Sequence, residues 1–199
     1  MLYWHYVALR YAQRPWRQEL VRSGNDPAGW SNHPVDRLIQ QAALARRLLT
    51  DNELQQIREH VATRALDERV VRVKRSIRDI PGTWQGRPFS ALRTLSLAQI
   101  HLIERTILDQ QWPPGTTLEQ YVADLQDCVR SADQVFTFTR QGQAYMGFLA
   151  ATTVQAPNAQ SRTWVAYSAS YGVIRTGYQV EEIGDVFYEG LPADWLQQR

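Results

Sequence analysis

The stretch Arg162-Thr-Trp-Val-Ala-Tyr-Ser-Ala-Ser-Tyr-Gly-Val-Ile-Arg-Thr-Gly-Tyr-Gln-Val180 carries the clearest structural pattern in this sequence. Its side chains alternate in character on both sides of Ser170-Tyr171-Gly172, which predicts two strands joined by a tight turn. On the second strand, Thr176 and Tyr178 are expected on the same face as the apolar side chain of Ile174. A hydroxyl and a phenol on an apolar face either hydrogen-bond inside the core or line a pocket.

Two further strands are predicted upstream of that stretch. Gln134–Arg140 alternates with a period of two, and Ala144–Thr153 continues the pattern after the hairpin turn Gln141-Gly142-Gln143. Because strands joined by short connections usually pair as neighbours, the four strands are expected to form an antiparallel meander.

Two helices are predicted before the strands. The first covers Leu97–Gln111 and begins after a capping box, in which Ser96 is followed three residues later by Gln99. The second begins after Thr116, where Glu119 completes a similar box. Both helices carry an apolar stripe, so we expect them to pack on one face of the sheet.

The N-terminal part of the chain is predicted to be helical. Pro34–Leu49 has a broad apolar face, and Thr50 with Glu53 forms a capping box that starts a second helix, ending near Leu66. These two helices are expected to form an antiparallel hairpin. Aromatic and arginine residues interleave in residues 1–22, which favours a docking helix over a base-stacking segment.

Glu68–Ile80 alternates valines and isoleucine with basic residues, which predicts a basic arm. The loop Pro81–Pro88 is the predicted domain boundary. The fold class is therefore α+β, with an N-terminal helical hairpin followed by two helices packed on a four-stranded antiparallel sheet. Residues 1–79 are expected to form a helical N-terminal region with the basic arm, and residues 80–199 an α+β domain.

The composition excludes several classes of protein and of site. The net charge is only +2, which does not mark a nucleic-acid binder, and the single cysteine, Cys128, excludes an internal disulfide framework and a cysteine-based zinc site. No apolar run approaches ~20 residues and the N-terminus has no signal-peptide pattern, so we expect a cytoplasmic protein with no membrane association. The four histidines are scattered and no phosphate-binding glycine motif occurs, so neither a metal nor a cofactor is predicted.

A metal-free constellation of side chains is the strongest candidate for chemistry. His101 is suited to general acid–base catalysis because the ordinary pKa of an imidazole lies near neutrality. Arg105 follows it by one helical turn, and Thr176 and Tyr178 offer hydroxyl groups to a phosphate. Cleavage of RNA by its own 2′-hydroxyl requires a proton acceptor, a proton donor and fixed positive charge, because the substrate supplies the nucleophile.

The remaining candidates are assigned to substrate binding. They are the neighbours of the constellation on the two late strands and the basic residues of the arm: Arg175, Tyr167, Ser168, Lys74 and Arg75.

A family resemblance points in the same direction. Ser96-Leu-Ala-Gln-Ile-His-Leu-Ile-Glu-Arg105, followed by a meander that ends in Gly172-Val-Ile-Arg-Thr-Gly-Tyr178, resembles the barnase, EndoU, colicin D and RelE group of metal-independent ribonucleases over about residues 70–180. The resemblance implies a toxin-like endoribonuclease that acts on RNA such as tRNA and is inhibited by a neutralising protein partner. It also implies catalytic roles for His101, Arg105, Thr176 and Tyr178.

Two other functions compete with this hypothesis. One is a non-catalytic interaction or assembly protein, related to phage or secretion systems, whose aromatic residues supply a binding surface. The other is an RNA- or DNA-binding module that uses the basic segment Arg69–Arg78 without cleaving. An enzyme requires His101 to meet Thr176 or Tyr178 in one cleft, whereas an interaction module requires an exposed apolar patch.

Overall fold

The computed structural model describes residues 30–186 and 194–199. The helices are α1 (Pro34–Ala45), α2 (Asp51–Val61), α3 (Arg75–Arg78), α4 (Leu97–Ile103), which continues as a π-helical turn (Glu104–Leu108), and α5 (Leu118–Ser131). The strands are β1 (Val70–Arg72), β2 (Thr83–Trp84), β3 (Arg87–Pro88), β4 (Thr94–Ser96), β5 (Gln134–Arg140), β6 (Gln143–Ala151), β7 (Arg162–Ser168), β8 (Val173–Val180) and β9 (Leu196–Gln197). Short 3₁₀ turns lie at Phe89–Ala91 and Ile183–Val186. The predicted N-terminal docking helix lies outside the described residues.

The main sheet is antiparallel and confirms the α+β class. Strands β5 to β8 form the predicted meander, in the order β8-β7-β6-β5-β9. The prediction of four strands is wrong by one, because the C-terminal Leu196–Gln197 pairs with Phe136 and Thr137 as a fifth strand. This addition has a packing cause: Trp195 stacks on Phe138 with ring centroids 3.6 Å apart, which carries the tail along β5.

The two helices at residues 34–61 form, but the separate hairpin predicted for them is not confirmed. Helix α1 packs on β5 and β6, and α2 packs on α5, in addition to their contact with each other. Ile39 of α1 and Ile57 of α2 are buried in the same core cluster as Met146 of the sheet. Helix α1 ends at Ala45 because Arg46 adopts a left-handed conformation with φ 52°.

The basic arm and the predicted boundary loop form a small subsidiary structure. Residues 68–80 contain the short strand β1 and the single-turn helix α3, and β1 pairs with β4. A second cluster of buried side chains lies beneath them, made of Val73, Ile77, Phe89, Leu92, Leu95, Ile100 and Ile103. Apolar side chains from both sides of residue 80 therefore share a core, and the division at that residue remains a prediction.

The face of the sheet that is turned away from the helices carries its own apolar cluster. Its members are Phe136, Phe138, Tyr145, Leu149, Trp164, Ala166 and Val180. The indole of Trp164 crosses neighbouring β6 at Gly147, where a Cβ atom would overlap the ring. Val186 and Trp195, near the C-terminus, pack on this cluster.

A β-bulge in β8 changes the faces that the alternation predicted. Tyr167 pairs with Ile174 and Ala166 pairs with Thr176, so Arg175 is the extra residue. Ile174 consequently packs in the helix-side core, whereas Thr176 and Tyr178 lie on the opposite face. The prediction that these three side chains share one face is therefore wrong for Ile174.

Strand β8 is an edge of the sheet, and side chains cover its outer hydrogen-bonding groups. Gln111 donates to the carbonyl of Gln179 and accepts from its amide N–H, at 2.8 and 2.9 Å. The carbonyl of Gly177 accepts from the Tyr121 hydroxyl at 2.6 Å and from Arg105 Nε at 3.0 Å. This cover protects the edge from pairing with another chain.

Throughout residues 30–186 and 194–199, every helix is too short or too polar to cross a lipid bilayer.

Candidate active site

A cavity of about 750 Å³ lies at the sheet face opposite the helices, beside the edge strand β8. It brings together four of the predicted site residues: His101 from α4, and Arg175, Thr176 and Tyr178 from β8. The bulge at Arg175 places Thr176 and Tyr178 on the cavity side, because it shifts the alternation of β8 by one residue. An imidazole, a guanidinium and two hydroxyl-bearing side chains thus share one solvent-accessible space.

His101 lies on a short, well-capped helix. The Ser96 hydroxyl accepts the amide N–H of Gln99, whose side chain accepts the amide N–H of Ser96, so the predicted capping box is confirmed. The side chain of His101 is mostly buried, and its Nδ1 lies 3.5 Å from Glu104 Oε2 without forming a hydrogen bond. Because Nδ1 is inaccessible, Nε2 is the ring nitrogen that can meet a ligand.

Glu104 provides a fixed negative charge behind His101. Its carboxylate accepts a hydrogen bond from Lys74 Nζ at 2.7 Å. Burial alone would raise the pKa of Glu104, but the interactions with His101 and Lys74 outweigh it and lower the pKa to about 2. The carboxylate is therefore ionised at neutral pH.

Arg175 reaches the cavity while bound to a buried carboxylate. Its guanidinium forms an ion pair with Asp67 Oδ2, and the same carboxylate binds Arg69 through Nε and NH2 at 2.9–3.1 Å. Arg69 also stacks over the ring of Tyr171, 4.9 Å from its centroid. Two guanidinium groups share one carboxylate, so this part of the site has a net positive charge.

Arg105 has a supporting position and does not line the cavity. It pairs with Asp109, donates to the carbonyl of Gly177 and lies 5.2 Å above the ring centroid of Tyr178. The catalytic role predicted for Arg105 stays a prediction, since its guanidinium is not part of the cavity lining. Its contacts hold the edge strand and one face of the Tyr178 ring.

Four other predicted binding residues are not brought to the cavity. Tyr167 is buried on the helix side of the sheet, because alternate residues of β7 point to opposite faces. Ser168 is fully buried, and its hydroxyl has no hydrogen-bond partner among residues 30–186 and 194–199. Lys74 is bound to Glu104, and Arg75 pairs with Asp79 at 3.4 Å on an exposed helix turn.

The cavity is also lined by residues that were not predicted from the sequence. Its aromatic end includes Phe138, Tyr145, Trp164 and Trp195, and its polar rim includes Thr139, Arg140 and Asp194. Thr139 donates a hydrogen bond to Asp194 at 3.0 Å. Phe138 and Arg140 could have been found from the period-two pattern of β5, which places both on one face. Trp195 and Asp194 could not, since the path of the C-terminal tail has no local signal.

A second polar cluster lies on the helix side of the sheet. Asp36 is 1% exposed and accepts hydrogen bonds from Ser31 and Tyr167, each at 2.5 Å. His60 Nε2 lies 3.0 Å from the same carboxylate, and His33 stacks on the His60 ring. Burial raises the pKa of Tyr167, and the hydrogen bond to Asp36 raises it further, so the phenol stays protonated.

His33, Asp36 and His60 place one ligand atom each within 4.8 Å of one another, which is close enough to hold a metal ion. Arg64 NH2 lies 2.9 Å from His60 Nδ1 and can only donate, so Nδ1 carries the lone pair and Nε2 carries the proton. Nε2 then donates to Asp36 and offers no lone pair to a metal. In this arrangement, the hydrogen-bond network occupies the groups that a metal would need.

Comparison with family models, with curated proteins and with solved structures finds no match to this chain. The geometry of the cavity is therefore the basis for the functional inference.

Proposed function

We propose that the protein is a metal-independent endoribonuclease of the toxin type, acting on cytoplasmic RNA at the cavity beside β8. The observation that supports it is the convergence of His101 with Thr176 and Tyr178 in one cavity, although 75 and 77 residues separate them in the chain. These three groups and Arg175 supply the parts that cleavage by a 2′-hydroxyl requires.

The proposed reaction is a transphosphorylation within the RNA. His101 Nε2 accepts the proton of the 2′-hydroxyl, whose oxygen attacks the adjacent phosphorus. A new bond forms between phosphorus and the 2′-oxygen, and the bond from phosphorus to the 5′-oxygen breaks. The departing 5′-oxygen takes a proton from a donor, for which the Tyr178 hydroxyl is the candidate. The products are a 2′,3′-cyclic phosphate and a 5′-hydroxyl, so no water, metal or cofactor takes part in the balance.

The charged and polar groups have separate roles in this scheme. Arg175 stabilises the additional negative charge of the pentacovalent phosphorane, because a guanidinium matches the geometry of phosphate oxygens. The Thr176 hydroxyl donates a hydrogen bond to a phosphate oxygen. Glu104 lies behind the imidazole, with its Oε2 3.5 Å from Nδ1, and places a negative charge there.

The aromatic end of the cavity provides room for a base next to the scissile phosphate. Tyr145 and Trp195 belong to this end, and aromatic side chains stack on every base. A binding surface of this kind explains why the polar groups lie beside aromatic side chains that line the same cavity. It also makes single-stranded RNA the expected substrate, since paired bases are not free to stack on protein.

A cleavage assay with a matched pair of histidine variants tests the proposal. We expect the wild-type protein to cut single-stranded RNA in the presence of a chelator and to leave 2′,3′-cyclic phosphate ends. His101→Gln should reduce the rate by about 10²–10⁴-fold, the usual contribution of general acid–base catalysis. His33→Gln is the control, because His33 is exposed and does not line the cavity. Equal rates for wild type and His101→Gln, or no cleavage of any RNA, would refute the mechanism.

A further inference from the structure

The segment before the basic arm joins the two elements that carry the candidate catalytic groups. The amide N–H of Asp67 donates to the carbonyl of Ile174 in β8, and the carbonyl of Asp67 accepts the amide N–H of Ala98 in α4, both at 2.9 Å. Leu66 forms a parallel bridge with Ile174. The backbone of Asp67 therefore ties the helix of His101 to the strand of Arg175.

The side chain of Asp67 acts on the same site. It is 3% exposed, and its carboxylate binds Arg175 and Arg69 together. The side chain of Arg175 is 26% exposed and lines the cavity. A guanidinium on a bulged edge strand would otherwise sample many rotamers, so the buried carboxylate fixes its direction.

We propose that Asp67 is a positioning residue, which holds Arg175 at the cavity wall so that its guanidinium binds the phosphate group of a ligand. The inference rests on the proposed function for the ligand, a phosphodiester of RNA. The binding of phosphate by Arg175, and its dependence on Asp67, can be measured without any cleavage of RNA.

A positioning role for Asp67 and a simple effect of its charge predict opposite changes in phosphate affinity for Asp67→Asn. Asp67→Asn removes a negative charge next to Arg175, and on electrostatic grounds alone this change strengthens the binding of an anion. If Asp67 positions Arg175, the same change weakens binding, because the guanidinium loses its fixed partner. The direction of the change in affinity therefore separates a positioning role from a simple effect of charge. If Asp67 only stabilises the fold, Asp67→Asn lowers the melting temperature and leaves the phosphate affinity of the folded protein unchanged.

Titration with inorganic phosphate, followed through the side-chain Nε–Hε signal of Arg175 by NMR, provides the measurement. We expect saturable binding to the wild-type protein and a dissociation constant about tenfold higher for Asp67→Asn, the change that one charge-assisted hydrogen bond controls. Arg69→Gln is the matched control: it removes the other guanidinium on the carboxylate, does not line the cavity, and should change the constant by less than about threefold.

The outcomes separate this inference from the ribonuclease proposal. Binding of phosphate to Asp67→Asn as tightly as to wild type, or more tightly, overturns the inference, as does phosphate that leaves the Arg175 signal unmoved. If Asp67→Asn does not fold, Asp67→Glu serves instead: it keeps the negative charge, moves the carboxylate by one methylene group away from its place beside Arg175, and must show the same loss of affinity. The expected binding pattern without any RNA cleavage refutes the ribonuclease and leaves the positioning role intact. RNA cleavage by the wild-type protein, together with unaltered phosphate binding by Asp67→Asn, refutes the positioning role and leaves the ribonuclease proposal intact.

Discussion

Replacing Tyr167 with phenylalanine separates the polar cluster on the helix side of the sheet from the cavity on the other side. The sequence predicted that Tyr167 binds substrate, whereas the structure places its hydroxyl 2.5 Å from Asp36, with the ring fully buried. We expect Tyr167→Phe to destabilise the protein and to leave the rate of RNA cleavage per folded molecule unchanged.

The magnitude follows from the contacts of Asp36. A hydrogen bond to a charged group contributes about 1.5–3 kcal/mol, and its loss leaves the buried carboxylate less well solvated. Ser31 and His60 remain bonded to Asp36, and phenylalanine fills the same space without a cavity. The free energy of unfolding should therefore fall by about 2 kcal/mol, near the low end of this range. For a chain of this length, that corresponds to a melting temperature lower by about 4–8 °C.

Urea denaturation of matched variants measures this loss. The control is Tyr145→Phe, which removes a hydroxyl bonded at 2.9 Å to the neutral, partly exposed side chain of Gln143. That change should cost less than about 1 kcal/mol, because both partners are uncharged. Equal losses for the two variants, or a loss under about 0.5 kcal/mol for Tyr167→Phe, would contradict the role assigned to Asp36. If Tyr167→Phe remains folded but loses most of its RNA-cleavage activity, Tyr167 takes part in the reaction after all.

Two further predictions concern the pH dependence of stability and the domain division. Since the folded protein lowers the pKa of Glu104 from 4.5 to about 2, its ionisation stabilises the fold above pH 4.5, and this contribution is lost as the pH falls towards 2. Urea denaturation should show that the free energy of unfolding falls by up to about 3 kcal/mol between pH 4.5 and 2 because of this group. Glu104→Gln should remove this fall, so an unchanged pH profile for the variant would contradict the role of the Glu104 carboxylate. A fragment of residues 80–199 lacks Ile39 and Ile57, so the apolar side chains that pack on them become exposed. We therefore expect the fragment to aggregate or to lack a cooperative unfolding transition. A folded, monomeric fragment would instead support the predicted boundary.

Elements governed by local patterns could be predicted from the sequence. Gln134–Arg140 has the predicted bounds, and the capping boxes at Thr50 and Ser96 are present. The third box was assigned one residue too early: Thr117 caps α5, because the Thr116 hydroxyl donates instead to the carbonyl of Pro113. Adjacent threonines offer equivalent caps, and the turn before the helix decides between them.

Features that depend on distant residues could not be predicted in the same way. The bond from Tyr167 to Asp36 joins positions 131 residues apart, and the pairing of Arg175 with Asp67 spans 108. The convergence of His101 with β8 was expected from the resemblance, since periodicity alone does not place a helix against a particular edge strand. The bulge had no signal, because a single extra residue leaves the hydrophobic pattern on each side of it intact.

The bulge has a consequence for how β8 could be altered. Since Arg175 is surplus to the pairing of β7 with β8, deletion of that one residue would yield a regular ladder in which Ile174 still faces the helices and Thr176 still faces the cavity. The sheet needs no side chain at this position. The extra residue instead adds the positive charge of Arg175 to the cavity wall, a position that a regularly paired β8 would not provide.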